Sequence, residues 1–306
     1  MGITLSLGAC PAPPSWRKIK PEPKEPVLTE PLTATRTTDH DIQIGERILI
    51  LLRAILVILL TMVLGTVGIL LCILRPGGSA LIPVARLWSR LILKTYGVRF
   101  RPVYDPGLDA LRPYVYVANH QSQFDIPALV LSMPTDFRMV AKRELLYIPI
   151  FGWALWLAGF IFIERTDRDK AIRRLERTLS TIRRGTSVVV FAEGTRSPDG
   201  QLLPFKKGGF ILAMKAGVPI VPVSIYGGHQ VLPKGSLRVR PGTIHVIFGA
   251  PISTSEYSPD SSSKDVLIAT VRERIMAGLE IPLATPGGSD RLSGEGSTAP
   301  NRSPVR

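Results

Sequence analysis

Two short segments hold residue types suited to acid–base and anion chemistry: NHQSQFD (Asn119–Asp125) and EGTRS (Glu193–Ser197). In the first, His120 and Asp125 stand five residues apart. On a continuous helix that spacing turns them about 140° from each other, so they meet if His120 lies in a turn and Asp125 reaches back from a helix start. A histidine whose second ring nitrogen is held by a carboxylate is a competent general base near neutral pH. Asp125 is also a good cap for a helix beginning Ile126-Pro127, and spacing alone leaves both readings open. In the second segment Gly194 permits tight curvature, Thr195 and Ser197 can donate, and Arg196 offers a two-pronged grip on phosphate. Lys206, Lys207 and the pair Gly208-Gly209 follow, but no Walker pattern does. The segment reads as an anion-binding turn, with a polar turn and an incidental arginine as the alternative.

Both segments follow apolar runs with strand character. Strands are expected over Tyr114–Ala118, Phe160–Ile163, Thr186–Ala192, Ile220–Ile225 and Thr243–Phe248, alternating with helical patterns. A helix is expected from about Thr166 to Arg184, with Gly185 at its C-cap. This alternation predicts an α/β domain over residues 99–282, a mixed, mostly parallel sheet flanked by helices, with reactive groups gathered at strand ends. Pro219 and Pro222 mark Ile220–Ile225 as an edge or wall strand. The uncharged stretch Leu145–Ile163, punctuated by Pro149, Gly152 and Gly159, predicts a buried or lipid-touching helix followed by a core strand.

The N-terminal third is different in kind. Residues 1–45 are Pro-rich and without apolar period, and residues 283–306 are rich in Gly, Ser and Pro; both are expected to be disordered tails. Between them and the α/β domain, residues 46–98 are expected to form membrane-attaching helices. Residues 54–74 lack any charge, and 21 residues at helical rise cover about 30 Å, a bilayer core. The next pattern, 80–96, carries Leu81, Val84, Ala85, Trp88, Leu91 and Ile92 on one face and Arg86, Arg90 and Lys94 on another. That suits a helix lying in a lipid interface, or an ordinary surface helix. A single span and a two-helix hairpin dipping into one leaflet both fit, and the amphipathic second helix favours the hairpin. From Arg75 to Arg101 there are six basic residues and no acid, which predicts a cytoplasmic flank.

Over 306 residues, 38 Lys+Arg against 24 Asp+Glu give a net charge of +14, which calls for an anionic partner. Two distant cysteines exclude a disulfide scaffold and offer no metal-ligand spacing. No nucleic-acid reader motif accompanies the charge, so nucleic acid is not expected as the partner.

Four segments in order, NHQSQFD, GFIFIER, FAEGTRS and VPIVPVSI, resemble the four motifs of the glycerolipid acyltransferases, most of all the bacterial 1-acyl-glycerol-3-phosphate acyltransferases. The resemblance covers about residues 80–255. It implies that His120 deprotonates the free hydroxyl of a lysolipid, with Asp125 supporting the imidazole. The alkoxide then attacks an acyl-CoA or acyl-carrier-protein thioester directly, and lysophosphatidic acid becomes phosphatidic acid. It further implies that Arg165, Glu193, Gly194, Thr195 and Arg196 form the acceptor's phosphate and glycerol site, that Lys142 adds a phosphate contact, and that Pro222 shapes the acyl-donor side. No metal or organic cofactor is implied. The expected place is the inner cell membrane, with the catalytic domain on the cytoplasmic side and membrane lipid as a partner. Ala192 departs from the pattern, since many relatives carry proline there. Other acceptors remain open (glycerol 3-phosphate, a lysophospholipid, a lyso-aminolipid), as does a silent membrane-binding module, which the presence of His120 and Asp125 disfavours.

Overall fold

The computed structural model describes residues 44–163 and 178–280. The expected tails, apart from Ile44 and Gly45, lie outside the described residues, as do Glu164, Arg165 and most of the helix expected over 166–184.

A seven-stranded sheet organises the domain, in the order β1-β7-β6-β2-β5-β3-β4. Its strands are β1 (Val98–Tyr104), β2 (Val115–Ala118), β3 (Phe137–Lys142), β4 (Ile161–Ile163), β5 (Ser187–Phe191), β6 (Ile220–Tyr226) and β7 (Gly242–Phe248). Every neighbouring pair is parallel except β6 with β7. Side chains alternate across the pleat, so β2 sends Tyr116 and Ala118 to one core and Val115 and Val117 to the other. Each strand residue of β2 is buried, as a strand covered on both faces requires.

The first face packs against α2 (Leu81–Thr95) and α3 (Asp125–Ser132) through Ile92, Leu93, Ala128 and Leu129. The second packs against three helices: α5 (Leu179–Arg183), α6 (Gly208–Ala216) and α8 (Ser263–Leu279). Ile182, Phe210, Leu212, Leu267, Val271 and Ile275 fill that side, and the last three recur at the four-residue spacing of one helical stripe. Gly185, at φ 92°, closes α5 as expected for its C-cap.

Five of the strands match the expected ones, and two were not foreseen. β1 is an exposed edge strand that contains Pro102, and β3 holds Arg138 within its apolar run. Arg138 is buried because it donates to Asp136, to Phe137 O and, at 2.6 Å, to Gly77 O. Pro222 was expected on an edge or wall strand, yet β6 is the third strand of seven. The missing N–H faces the side where Gly249 N donates to Pro222 O at 2.9 Å. The partner chain is leaving β7 at that point, so the ladder loses little.

α1 runs from Ile44 to Leu74, ten residues ahead of the charge-free stretch, so Arg47 and Arg53 belong to it. It is long and apolar enough to cross a membrane. α2 turns back and packs beside it. Trp88 Nε1 donates to Thr61 Oγ1 at 3.0 Å, and the Arg53 guanidinium lies 5.6 Å from the Tyr96 ring centre. Gly65 and Gly68 let Ile150 and Leu81 approach the helix axis. Further contacts fix both ends: Arg238 Nη2 meets Glu46 Oε1 at 2.8 Å, and Cys72 is buried with Leu81, Ala154 and Ala158. From residue 46 to residue 72 is about 39 Å of helix, so one side of α1 is tied to the folded domain along almost its whole length. Its other side presents Leu52, Ile55, Leu59, Val63 and Leu70 to the outside.

The stretch expected as a helix and then a strand is a 3-10 turn (Arg143–Tyr147), α4 (Phe151–Leu157) and β4. Tyr147, Trp153 and Trp156 are exposed.

Candidate active site

Five strands, β2, β5, β3, β4 and β6, point the same way and end at one edge of the sheet. In such sheets that edge is where ligands bind. β2 delivers Asn119 and His120 to it, and Asn119 extends the strand with its side chain. Its Nδ2 donates to Ile225 O at 2.8 Å, and its Oδ1 accepts from Ile225 N at 2.7 Å. The chain then turns through Gln121–Phe124 into α3.

Asp125 opens that helix, and its side chain points backward. Oδ2 accepts from Gln121 N at 2.6 Å and Ser122 N at 2.7 Å, both ahead of the helix, and lies 3.0 Å from His120 Nδ1. The other oxygen, Oδ1, has no hydrogen-bond partner among the described residues, so the Asp125 side chain braces the turn ahead of the helix and caps none of the helix's own N–H groups. A carboxylate is acceptor-only, so with Nδ1–H donating to it, Nε2 is the nitrogen left as acceptor. Among the described residues Nε2 has no hydrogen-bond partner. The ring stacks on Phe191 with centroids 4.0 Å apart. From α7 (Gly228–Val231), Gly228 lies so close that a Cβ there would run into Asp125 Oδ1.

The turn after β5 stitches itself to the first segment. Glu193 Oε1 accepts from His120 N at 2.8 Å and Oε2 from Leu203 N at 3.0 Å, while Ser197 N donates to His120 O at 2.9 Å. Both peptide groups of His120 are thus held by the EGTRS turn. Glu193 faces inward, 3% exposed, and burial pushes its carboxyl pKa up against the pull of those two N–H donors. Ala192 uses an N–H that proline lacks, donating to Ala118 O at 2.9 Å. Gly194 takes φ 71° at the turn, and Thr195 is exposed beyond it. Arg196 is half-buried, and among the described residues its guanidinium has no ion-pair partner.

Lys142 ends β3 two strands from β2, about 10 Å by strand spacing, and pairs with Glu144 at 3.1 Å. Pro222 is buried in mid-β6, paired with Val117. Arg165 lies outside the described residues. The structure therefore brings His120, Asp125, Glu193, Gly194, Thr195 and Arg196 together, with Lys142 at the same edge and Pro222 inside the sheet. Asn119, Phe191, Ser122 and Gly228 also position His120 or Asp125, and none was singled out. Asn119 and Ser122 stood within the motif without a role, whereas nothing in the local pattern marks Gly228. Among the described residues no three metal-ligating side chains gather.

The residue pattern of the acyltransferase family matches residues 103–226, from β1 through β6. The human 1-acyl-sn-glycerol-3-phosphate acyltransferase alpha is 34% identical over 235 residues, covering 76% of this chain and 82% of the human one. The chain belongs to the acyltransferase family. The chloroplastic 1-acyl-sn-glycerol-3-phosphate acyltransferase BAT2 of Brassica napus is 34% identical over 206 residues, 65% of this chain and 56% of that one. The chain spans about half the length of the chloroplastic relatives it matches. Among acyltransferases of known structure, the 1-acyl-sn-glycerophosphate (LPA) acyltransferase PlsC of Thermotoga maritima is similar with a TM-score of 0.67 and 26% identity. That likeness covers 79% of this chain and 99% of that one.

Proposed function

We propose that the chain is a membrane-attached O-acyltransferase. It moves a fatty acyl group from the thioester of acyl-CoA or acyl-carrier protein to the sn-2 hydroxyl of 1-acyl-glycerol-3-phosphate. The observation that carries the reading is the His120–Asp125 pair at 3.0 Å, braced against a turn whose arginine has no ion-pair partner among the described residues. His120 Nε2 takes the hydroxyl proton as the oxygen attacks the thioester carbonyl. The tetrahedral intermediate collapses, the C–S bond breaks, and the imidazolium returns the proton to the departing thiolate. The products are an ester and a thiol, with no acyl-enzyme. Asp125 holds the imidazole's orientation and offsets its transient charge. Glu193 acts as a brace for the His120 peptide, while Thr195 and Arg196, with Lys142 and Arg165, meet the acceptor phosphate. Pro222 acts from within β6, behind the acyl-donor side. The names of the relatives support lysophosphatidic acid as acceptor, and the +14 charge suits two anionic substrates.

The hairpin is the attachment. A helix tied to a folded domain along one side has only its other side for lipid, so α1 lies in one leaflet instead of crossing both. The domain would then sit on the cytoplasmic face of the inner membrane.

The test is thiol release from palmitoyl-CoA by vesicle-reconstituted protein, with and without 1-acyl-glycerol-3-phosphate. Release is expected to require the acceptor and to fall about 10²–10⁴-fold in His120→Ala, the usual span for a general base. Retained turnover removes the base assignment. Arg196→Ala is expected to raise KM for the acceptor and not for the donor; equal effects would move Arg196 away from the phosphate.

A further inference from the structure

The segment between α7 and β7, Leu232–Pro241 (LPKGSLRVRP), leaves the same sheet edge that carries His120. It contains Lys234, Arg238 and Arg240 and no acid, and all three cations are exposed. At its tip Leu237 is 73% exposed. A single exposed leucine is ordinary, so the placement of this one is what matters.

The loop is held at four points. Ser122 Oγ donates to Leu232 O at 3.0 Å, inside the turn that orients Asp125. Lys234 Nζ donates to Arg196 O at 3.0 Å. Arg240 N donates to Val231 O at 2.9 Å. Arg238 Nη2 meets Glu46 Oε1 at 2.8 Å, which sets the tip beside the first turn of α1, where exposed Ile48, Leu49, Leu51 and Leu52 begin. Arg47 adds a further exposed cation there. The loop thus joins three things: the outward apolar side of α1, a basic cluster, and the mouth of the candidate site. An apolar tip ringed by cations and continuous with a lipid-facing helix has the chemistry of an anionic bilayer surface.

We propose that loop 232–241 docks on anionic phospholipid headgroups. Leu237 enters the interface, while Lys234, Arg238 and Arg240 meet lipid phosphates. The loop thereby seats the mouth of the site at headgroup level, where a lysolipid presents its own phosphate and hydroxyl. The proposal rests on the membrane attachment of α1 read above, and adds a second, electrostatic contact to the apolar one.

The test places an NBD fluorophore on Leu237→Cys in the full chain carrying Cys10→Ser, buried Cys72 being checked as unlabelled in that background. A control carries the dye on Ser255→Cys, an exposed position at the opposite end of β6. Vesicles are phosphatidylcholine alone or phosphatidylcholine with phosphatidylglycerol, and bound protein is counted by co-sedimentation. The expected result is a blue shift and brightening at 237, not at 255, and only with phosphatidylglycerol. Raising salt from about 0.1 to about 1 M shortens the screening length from about 10 to about 3 Å. It should abolish the 237 signal while co-sedimentation through α1 persists. A 237 signal matching that at 255 on sedimenting protein overturns the docking and leaves the attachment standing. Equal shifts on both vesicle types overturn the anionic preference. Failure to sediment at all overturns the attachment and the loop's role with it.

Discussion

At the scale of single residues, the site is governed by what holds His120 as much as by His120 itself. Asp125 takes its ring nitrogen, Glu193 and Ser197 take its two backbone groups, and Phe191 takes its ring face. Glu193 has a measurable cost. In the unfolded chain its carboxyl titrates near 4.5, and burial raises that value in the fold. The folded state therefore binds the extra proton, so stability falls as pH rises from about 4.5 through the raised pKa, and the cost is fully present above it. Denaturant unfolding over a pH series should show this fall in the wild type and lack it in Glu193→Gln. The variant also loses one acceptor, because its NH2 replaces one of the two oxygens that accept from His120 N and Leu203 N, so its turnover is expected to drop while the pH slope flattens. The His–Asp pair was legible from five-residue spacing as a possibility, but the direction of the Asp125 side chain was not, because a helix cap and a backward brace use the same residue at the same place. Glu193 was legible as part of an anion turn, whereas the structure turns its carboxylate inward. A motif records which side chains are present, not which way a strand end aims them.

At the scale of elements, the strands flanking the two motifs were readable because each is a short apolar run bounded by turn residues. β1 and β3 were not, for opposite reasons: β1 is an exposed edge with a proline, and β3 buries an arginine. Arg138 is tolerated because the turn joining α1 to α2 answers it. Gly77 O accepts from its guanidinium, and Ser79 Oγ donates to Asp136, which Arg138 also pairs with. In the same turn Gly78 sits at φ 80° and a Cβ added there would run into the Ala158 carbonyl, so a methyl group meets both backbone strain and that carbonyl. Gly78→Ala is expected to destabilise the protein by about 1–3 kcal/mol. The reading is a lower urea midpoint at unchanged slope. Ile150 carries the complementary strain. It is the centre of a tight turn at φ 62° in which Phe151 N donates to Pro149 O at 2.6 Å, an unusual conformation for a β-branched residue. That turn presses its side chain onto Gly65, so the chain is strained where α4 meets the long helix.

At the scale of the whole molecule, an apolar helix bound along one side leaves the opposite side exposed, and the proposed attachment to lipid rests on that side. Replacing Leu52, Leu56, Leu59 and Val63, all on exposed positions, with serine removes about 1.5 kcal/mol of burial each. Partition onto vesicles should weaken by about four orders of magnitude. Co-sedimentation checks it, and thiol release with a short-chain, water-soluble acceptor should survive, since none of the four touches the His120 turn. The helix was legible from its missing charges, but its bound side was not, because the residues that meet the domain, Thr61, Gly65, Gly68 and Cys72, are small and scattered among leucines. If α1 attaches to lipid as proposed, this tethering along nearly 40 Å also sets the dimension in which the molecule searches. On the attachment and acceptor proposed above, a protein lying in one leaflet is a solute of a two-dimensional fluid, and it would meet its lysolipid by lateral diffusion. Its rate then follows the mole fraction of acceptor among surrounding lipids, not the amount per volume of solution. Inert lipid added to the same sheet slows turnover by surface dilution, while added water leaves it unchanged.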